Sequence, residues 1–245
     1  MTLALSERRT ADRASVGRPE VRTIGVSLRR SSPGGRERFE VEVRDPVTVL
    51  DLLSRIQRED DPSLGFRYSC RVGMCGTCTV RVDGRAALAC RTVVAPDVEQ
   101  LSVAPLAGLP VVRDLIVDTR PFWEEWSRVL PWFVPGGDGD LHQGSEAARL
   151  VDGALGCISC GACHTSCDVA RYGNGYLGPA ALNRAFALIA DPRDAAAAER
   201  LRVVAGGRGV DRCRYAGGCT TACPVGLDPA RSIASLRRLR LLGHA

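Results

Sequence analysis

A chain of 245 residues, 45% apolar and 25% charged, is ordinary in composition for a globular protein of one large domain or two small ones. Its net charge of +5 comes from 33 basic residues, all arginine, scattered among 28 acids, which argues against the basic stripe of a nucleic-acid binder. No apolar run is long enough to span a bilayer, and Met1 to Glu20 lacks a signal-peptide stretch, so the expected compartment is the cytoplasm, where thiols stay reduced.

Residues 1–20 are polar and Arg-rich without periodicity and read as a disordered tail. A first domain is expected over 21–120. It opens with "VRTIGVSL" and "RERFEVEV", which alternate apolar and polar residues around a Ser/Pro/Gly-rich stretch, the pattern of a β-hairpin with a long turn. "TVLDLLSRIQ" then places Val49, Leu50, Leu52, Leu53 and Ile56 on one helical face, with Thr48 and Asp51 spaced as a capping box. Asp83-Gly84 suits a two-residue turn between strands at Thr79–Val82 and Arg85–Ala89. That hairpin carries Cys90 back toward Cys70, Cys75 and Cys78. "LPVVRDLIVD", Leu109 to Asp118, closes this half.

Residues 121–145 read as a connector, in which Trp123, Trp126 and Trp132 are expected to pack between domains; a docking surface for a partner is the alternative. The remainder, 146–245, is expected to be helical. Pro179 sits at a first helical position of "PAALNRAFALIA", "RDAAAAERLRVVAGG" ends at glycines, and Asp228-Pro229 opens "PARSIASLRRLRLL", whose arginines read as a solvated face.

The eleven cysteines carry the chemistry. In a reduced compartment an odd, clustered set points to metal ligands or redox centres, not disulfides. Cys70-x4-Cys75-x2-Cys78, then Cys90, resembles the plant-type [2Fe–2S] pattern with a shortened last gap. Gly73 and Gly76 suit a loop wrapped around a cluster, which needs unusual backbone angles and close amides. Structural zinc is the competing reading, and would describe an interaction module. Cys157-x2-Cys160-x2-Cys163-x3-Cys167 is the bacterial-ferredoxin run, in which three thiolates hold one [4Fe–4S] cube and the fourth ligates the other cluster.

"CRYAGGCTTACP" repeats that run with Ala216 at its second ligand position. By the same crossover Cys223 completes the first cube with Cys157, Cys160 and Cys163, while Cys167 joins Cys213 and Cys219. Three thiolates and a methyl suit a [3Fe–4S] cluster, a cube missing one corner; a [4Fe–4S] cluster with a non-cysteine fourth ligand is the alternative. No cysteine is left over. His142 and His244 stand alone and His164 lies inside the ferredoxin run, so no Rieske pair is indicated. With no evident nucleophile, nucleotide loop or acid–base pair, the sequence describes an electron wire.

These motifs, with "LAC" (Leu88 to Cys90), "LPVVRDLIVD", "YLGPAALNRAFALIADPRD" and "CPVGLDPARSI", resemble the iron–sulfur subunit of the succinate dehydrogenase and fumarate reductase family, from about Val21 onward. The resemblance implies an α+β chain: a β-grasp [2Fe–2S] domain followed by a helical ferredoxin-like domain. It implies an oxidoreductase subunit without catalytic residues of its own for succinate oxidation, passing single electrons between the FAD of a flavoprotein partner and quinone. A membrane-anchor partner would hold it at the cytoplasmic face. Tyr172, Arg214 and Tyr215 are the implied quinone contacts. The chain departs from the family where Asp168 follows Cys167, "DVARYGNGY" stands in place of paired tryptophans, and Arg214 replaces a common histidine. The rival within this class is a subunit serving another flavoprotein and a non-quinone acceptor.

Overall fold

The computed structural model of the chain describes residues 21–31, 35–44, 46–172 and 175–242. The expected disordered tail, most of the first hairpin turn, and His244 lie outside them.

Strands β1 (Val21–Arg29) and β2 (Arg36–Arg44) pair antiparallel over their whole length, with Val21 opposite Arg44 and Arg29 opposite Arg36. Helix α1 (Val49–Glu59) starts as expected. The Thr48 hydroxyl accepts from the Asp51 amide at 3.2 Å, and the Asp51 carboxylate accepts from the Thr48 amide at 2.9 Å. All five residues of its apolar face are buried. Strands β3 (Thr79–Val82), β4 (Arg85–Leu88) and β5 (Gln100–Ala104) complete a sheet of order β2-β1-β5-β3-β4, in which β1 and β5 run parallel. One helix packed with such a sheet around a common apolar core is the expected β-grasp.

A two-stranded ribbon, β6 (Val111–Arg113) and β7 (Ile116–Val117), closes the half. It is pinned by Asp114, which accepts from the Ser31 amide at 2.9 Å, the Gly65 amide at 2.8 Å and Arg30 Nε at 3.2 Å. Burial works to raise the Asp114 carboxyl, but these donors outweigh it and hold it below the usual carboxylate range. A depressed folded value stabilises fully above the unfolded pKa, about 3.9, and is lost as pH falls through the folded one. Asp114→Asn should therefore flatten the acid limb of stability against pH. An unchanged slope in urea titrations below about pH 4 would contradict that assignment.

The second half comprises α2 (Arg120–Ser127), α3 (Glu146–Leu155), α4 (Ala162–Thr165), α5 (Asp168–Arg171), α6 (Gly178–Ile189), α7 (Ala197–Ala205), a 3₁₀ turn (Val210–Arg212), α8 (Gly218–Thr221) and α9 (Pro229–Leu241). Helix α6 is buried almost all round and lies against α2, α3, α7 and α9. Proline at its start fixes the entry, as the sequence suggested.

Four differences from the sequence reading are physical. Helix α2 lies across the expected connector boundary. Helix α7 begins at Ala197 instead of Arg193, because Asp191 and Asp194 fold the preceding residues into turns, accepting from the Arg193 amide at 3.1 Å and the Ala196 amide at 2.8 Å. Of the three tryptophans, Trp126 packs on the interdomain core, Trp123 is 46% exposed but edges the interdomain cavity against Phe122, and Trp132 is 55% exposed. The arginines of α9 are also not wholly solvated, since Arg237 and Arg240 pair with Asp211.

Leu106, Leu109, Val117 and Phe122 meet Cys163, Ala180 and Cys219 in a small interdomain core. Thr165 Oγ1 donates to the Ala107 carbonyl at 2.9 Å across the same boundary. The two halves therefore meet where the cysteines are.

Candidate metal centres

The first group lies on the loop before β3 and on the turn after β4. Two backbone contacts fix Cys90: the Val49 amide donates to the Thr92 carbonyl at 2.9 Å, and Leu50 to Ala89 at 3.0 Å. Amides at a helix start lack intrahelical partners, so α1 holds the returning cysteine stretch in place. Arg71, Gly73 and Gly76 take positive φ, which curls the loop; the Met74 amide lies 3.3 Å from Cys70 Sγ. Thr77 holds the Cys75 thiol down at about 6, while burial pushes Cys78, which lies beside Cys90, up to about 11.

The other two groups occupy a structural repeat. Ser159 and Gly161 have φ of 52° and 77°, and Tyr215 and Gly217 have 55° and 73°. Each glycine opens a four-residue helix, α4 or α8. Ala216 thus stands on the backbone geometry that presents Cys160 in the first copy. Cys157, Cys160, Cys163 and Cys223 line one cavity. Cys167, Cys213 and Cys219 line another, together with Ala216, Tyr176, Arg214 and Tyr215. Cys223 is brought to the first run and Cys167 to the second, the swap the spacing suggested. Tyr172, 72% exposed at the end of α5, is not among the residues lining that second cavity.

The chemistry of these sulfurs fits clusters. Burial raises the thiols of Cys157, Cys160, Cys163, Cys167 and Cys219, so without a compensating cation they stay protonated and unreactive. A bound metal reverses that balance, because a coordinating thiol is deprotonated outright. Among the described residues, no three His, Cys, Asp or Glu side chains converge tightly enough for one ion. Ligands of a single zinc crowd within about 2.3 Å of the metal, whereas a cluster's thiolates are spread around an iron–sulfide cage.

Tyr176 was not singled out from sequence, where a lone tyrosine before "LGP" carries no local signal. It is 4% exposed, and its hydroxyl is the buried side-chain polar atom left without a hydrogen-bond partner among the described residues. It points among Cys213, Cys167 and Cys219, and burial pushes its phenol far up, keeping the proton on. An orphaned donor facing three thiols fits a cluster whose sulfurs would accept from it.

A β-grasp domain with one thiol group, joined to a helical domain with two more in repeated loops, defines an iron–sulfur protein of two ferredoxin-type domains. Two family models match accordingly: a 2Fe-2S iron-sulfur cluster binding domain over residues 27–124 and a 4Fe-4S dicluster domain over 153–227. The chain is 38% identical over 195 residues to the succinate dehydrogenase iron-sulfur subunit of Paracoccus denitrificans, covering 78% of this chain and 75% of that one. It is also 38% identical over 211 residues to a mitochondrial succinate dehydrogenase iron-sulfur subunit of Oryza sativa, covering 83% and 75%. In structure it is similar to a chain of the Mycobacterium smegmatis Sdh1 complex, with a TM-score of 0.79, 27% identity, and coverage of 89% and 95%. The chain belongs to the family of succinate dehydrogenase iron–sulfur subunits. No helix among its described residues is long and apolar enough to cross a membrane.

Proposed function

We propose that this electron-transfer subunit carries single electrons between a flavoprotein's FAD and quinone through [2Fe–2S], [4Fe–4S] and [3Fe–4S] clusters. Cys70, Cys75, Cys78 and Cys90 hold the first, Cys157, Cys160, Cys163 and Cys223 the second, and Cys167, Cys213 and Cys219 the third. The observation that carries this reading is that three spatial groups use every cysteine, with Ala216 where the repeat would place a twelfth. Bound clusters supply one-electron acceptance; the chain fixes their positions and tunes them through ligation, hydrogen bonds and burial.

Exposure supports a wire with two outer ends. The loop of the first group presents Val72 and Met74 to the outside, and the third group lies beneath exposed Arg214, Tyr215 and Ala216, while the second is more enclosed. The outer ends suit a flavoprotein on one side and a quinone, held with a membrane-anchor subunit at the cytoplasmic face, on the other. Arg214 and Tyr215, with exposed Tyr172 shortly after Cys167 in the chain, are the residues offered to quinone. Succinate chemistry itself belongs to the partner.

The complex purified with its partners should be brown, hold about nine irons per chain, and bleach in the visible when succinate is added. A colourless zinc-containing protein would refute the reading. A coloured one indifferent to succinate would favour a different flavoprotein.

Tyr176→Phe gives a finer test. A donor to a cluster sulfur stabilises the more negative, reduced state, so its loss should lower the [3Fe–4S] midpoint potential. A bond of about 1 kcal/mol corresponds to roughly 40 mV for one electron. Redox titration followed by EPR checks it, and an unchanged or raised potential would contradict the hydrogen bond.

A further inference from the structure

Gly76 is buried, although Cys75 and Thr77 on either side of it are exposed. Its backbone faces the second thiol group. A methyl placed on its Cα would lie 2.7 Å from Cys160 Cβ, 2.8 Å from Cys160 Cα and 2.9 Å from the Ile158 carbonyl oxygen. Such contacts are well inside van der Waals separation, and backbone atoms cannot swing aside as a long side chain can. Cys75, Gly76 and Cys160 also line one interdomain cavity.

Gly73 provides the contrast. It lies in the same loop with φ of +79° against +69° for Gly76, so both share the left-handed backbone that favours glycine. The three atoms nearest a methyl on Gly73 all belong to the flexible Arg91 side chain, with Cγ at 2.8 Å, and none of the three belongs to the helical domain. The sequence shows two similar loop glycines. The structure gives the second one a further reason to be glycine.

We infer that Gly76 is a positioning residue: by presenting bare backbone to Cys160, it sets how closely the first and second thiol groups approach. The inference rests on the ligand sets proposed above. When one electron passes between the clusters these thiolates hold, one is oxidised and the other reduced by that electron; no bond breaks and no proton moves. What the chain contributes is the separation and its rigidity. Gly76 acts there through the Cys160 loop, and a side chain at that position would wedge the domains apart.

The test uses the complex purified with its partners as wild type, Gly76→Ala and Gly73→Ala, with iron content measured for each. Dithionite reduction gives both [2Fe–2S] and [4Fe–4S] unpaired spins, and power saturation of the [2Fe–2S] EPR signal reads their magnetic interaction. Gly73→Ala should relax as the wild type does, whereas Gly76→Ala should saturate at lower power and lose spin–spin broadening. Equal relaxation in all three, with both clusters present, overturns the role of Gly76. Absence of either cluster from the wild type overturns the ligand sets instead, and this inference with them. If Gly76→Ala loses the first cluster while Gly73→Ala keeps it, Gly76 serves to hold that cluster in place and not to set a separation, and the inference is overturned. Loss from both alike overturns it, because shared backbone strain then suffices.

Discussion

Ala216→Cys is expected to abolish the paramagnetic signal of the oxidised third cluster and to raise the iron content by about one per chain. Ala216 lines the cavity with Cys167, Cys213 and Cys219, and its flanking residues hold the φ angles found around Cys160. A thiol there would therefore be presented as Cys160 is in the first copy of the repeat. Four thiolates complete a cube, and an oxidised [4Fe–4S] cluster is diamagnetic where an oxidised [3Fe–4S] cluster is not. The gained cysteine also makes the reduced cluster more negative, so its potential should fall and reduction by succinate should become less complete. Ala216→Ser, which adds a poorer ligand of similar size, should leave the signal in place. Retention of the oxidised-state signal in the cysteine variant, at unchanged iron content, would mean that Ala216 does not stand at a ligand position.

Asp194→Ala should produce a large loss of stability. Arg200 and Asp194 are wholly buried and paired. Arg200 also donates from Nε to the Leu130 carbonyl at 2.9 Å and from Nη2 to that of Trp132 at 2.6 Å. Asp194 in turn accepts from the Val134 amide at 3.0 Å and the Ala196 amide at 2.8 Å. The pair thus fastens the connector segment around residues 130–134 to the start of α7. Removing one partner strands the other charge without water, at a cost of about 3–5 kcal/mol. For a chain of this size that corresponds to a fall of roughly 6–20 °C in Tm. Arg38→Ala, which breaks the ion pair with Glu40 in which both side chains are exposed, should cost little by comparison. Thermal unfolding of both variants in the assembled complex checks the contrast, and similar small losses would contradict the stapling role of Asp194.

Much of this was legible in the sequence, because it is written locally. The Thr48/Asp51 box, the Asp83-Gly84 turn, Pro179 and Asp228-Pro229 each act over a few residues, and each marks the element boundary it suggested. Cysteine spacing was legible for the same reason: a loop around a cluster imposes fixed short intervals. What depends on distant partners was not. Arg200 meets carbonyls 70 and 68 positions away, and Arg30 meets Asp114 across 84 positions, so neither could be told from surface arginines. Trp132 shows the opposite error, since aromatic content suggested packing between domains and its side chain is 55% exposed. Tyr176 and Gly76 acquire meaning only once Cys213 and Cys160 are placed beside them.

The most direct measurement is low-temperature EPR of the complex purified with its partners, before and after succinate. An oxidised [3Fe–4S] cluster is the paramagnetic one of the three. Its signal should be present as isolated and disappear on adding succinate, as electrons enter from the flavoprotein and reach Cys167, Cys213 and Cys219. An intact, iron-replete complex without that signal would contradict the open corner at Ala216, and a signal that ignores succinate would contradict the donor.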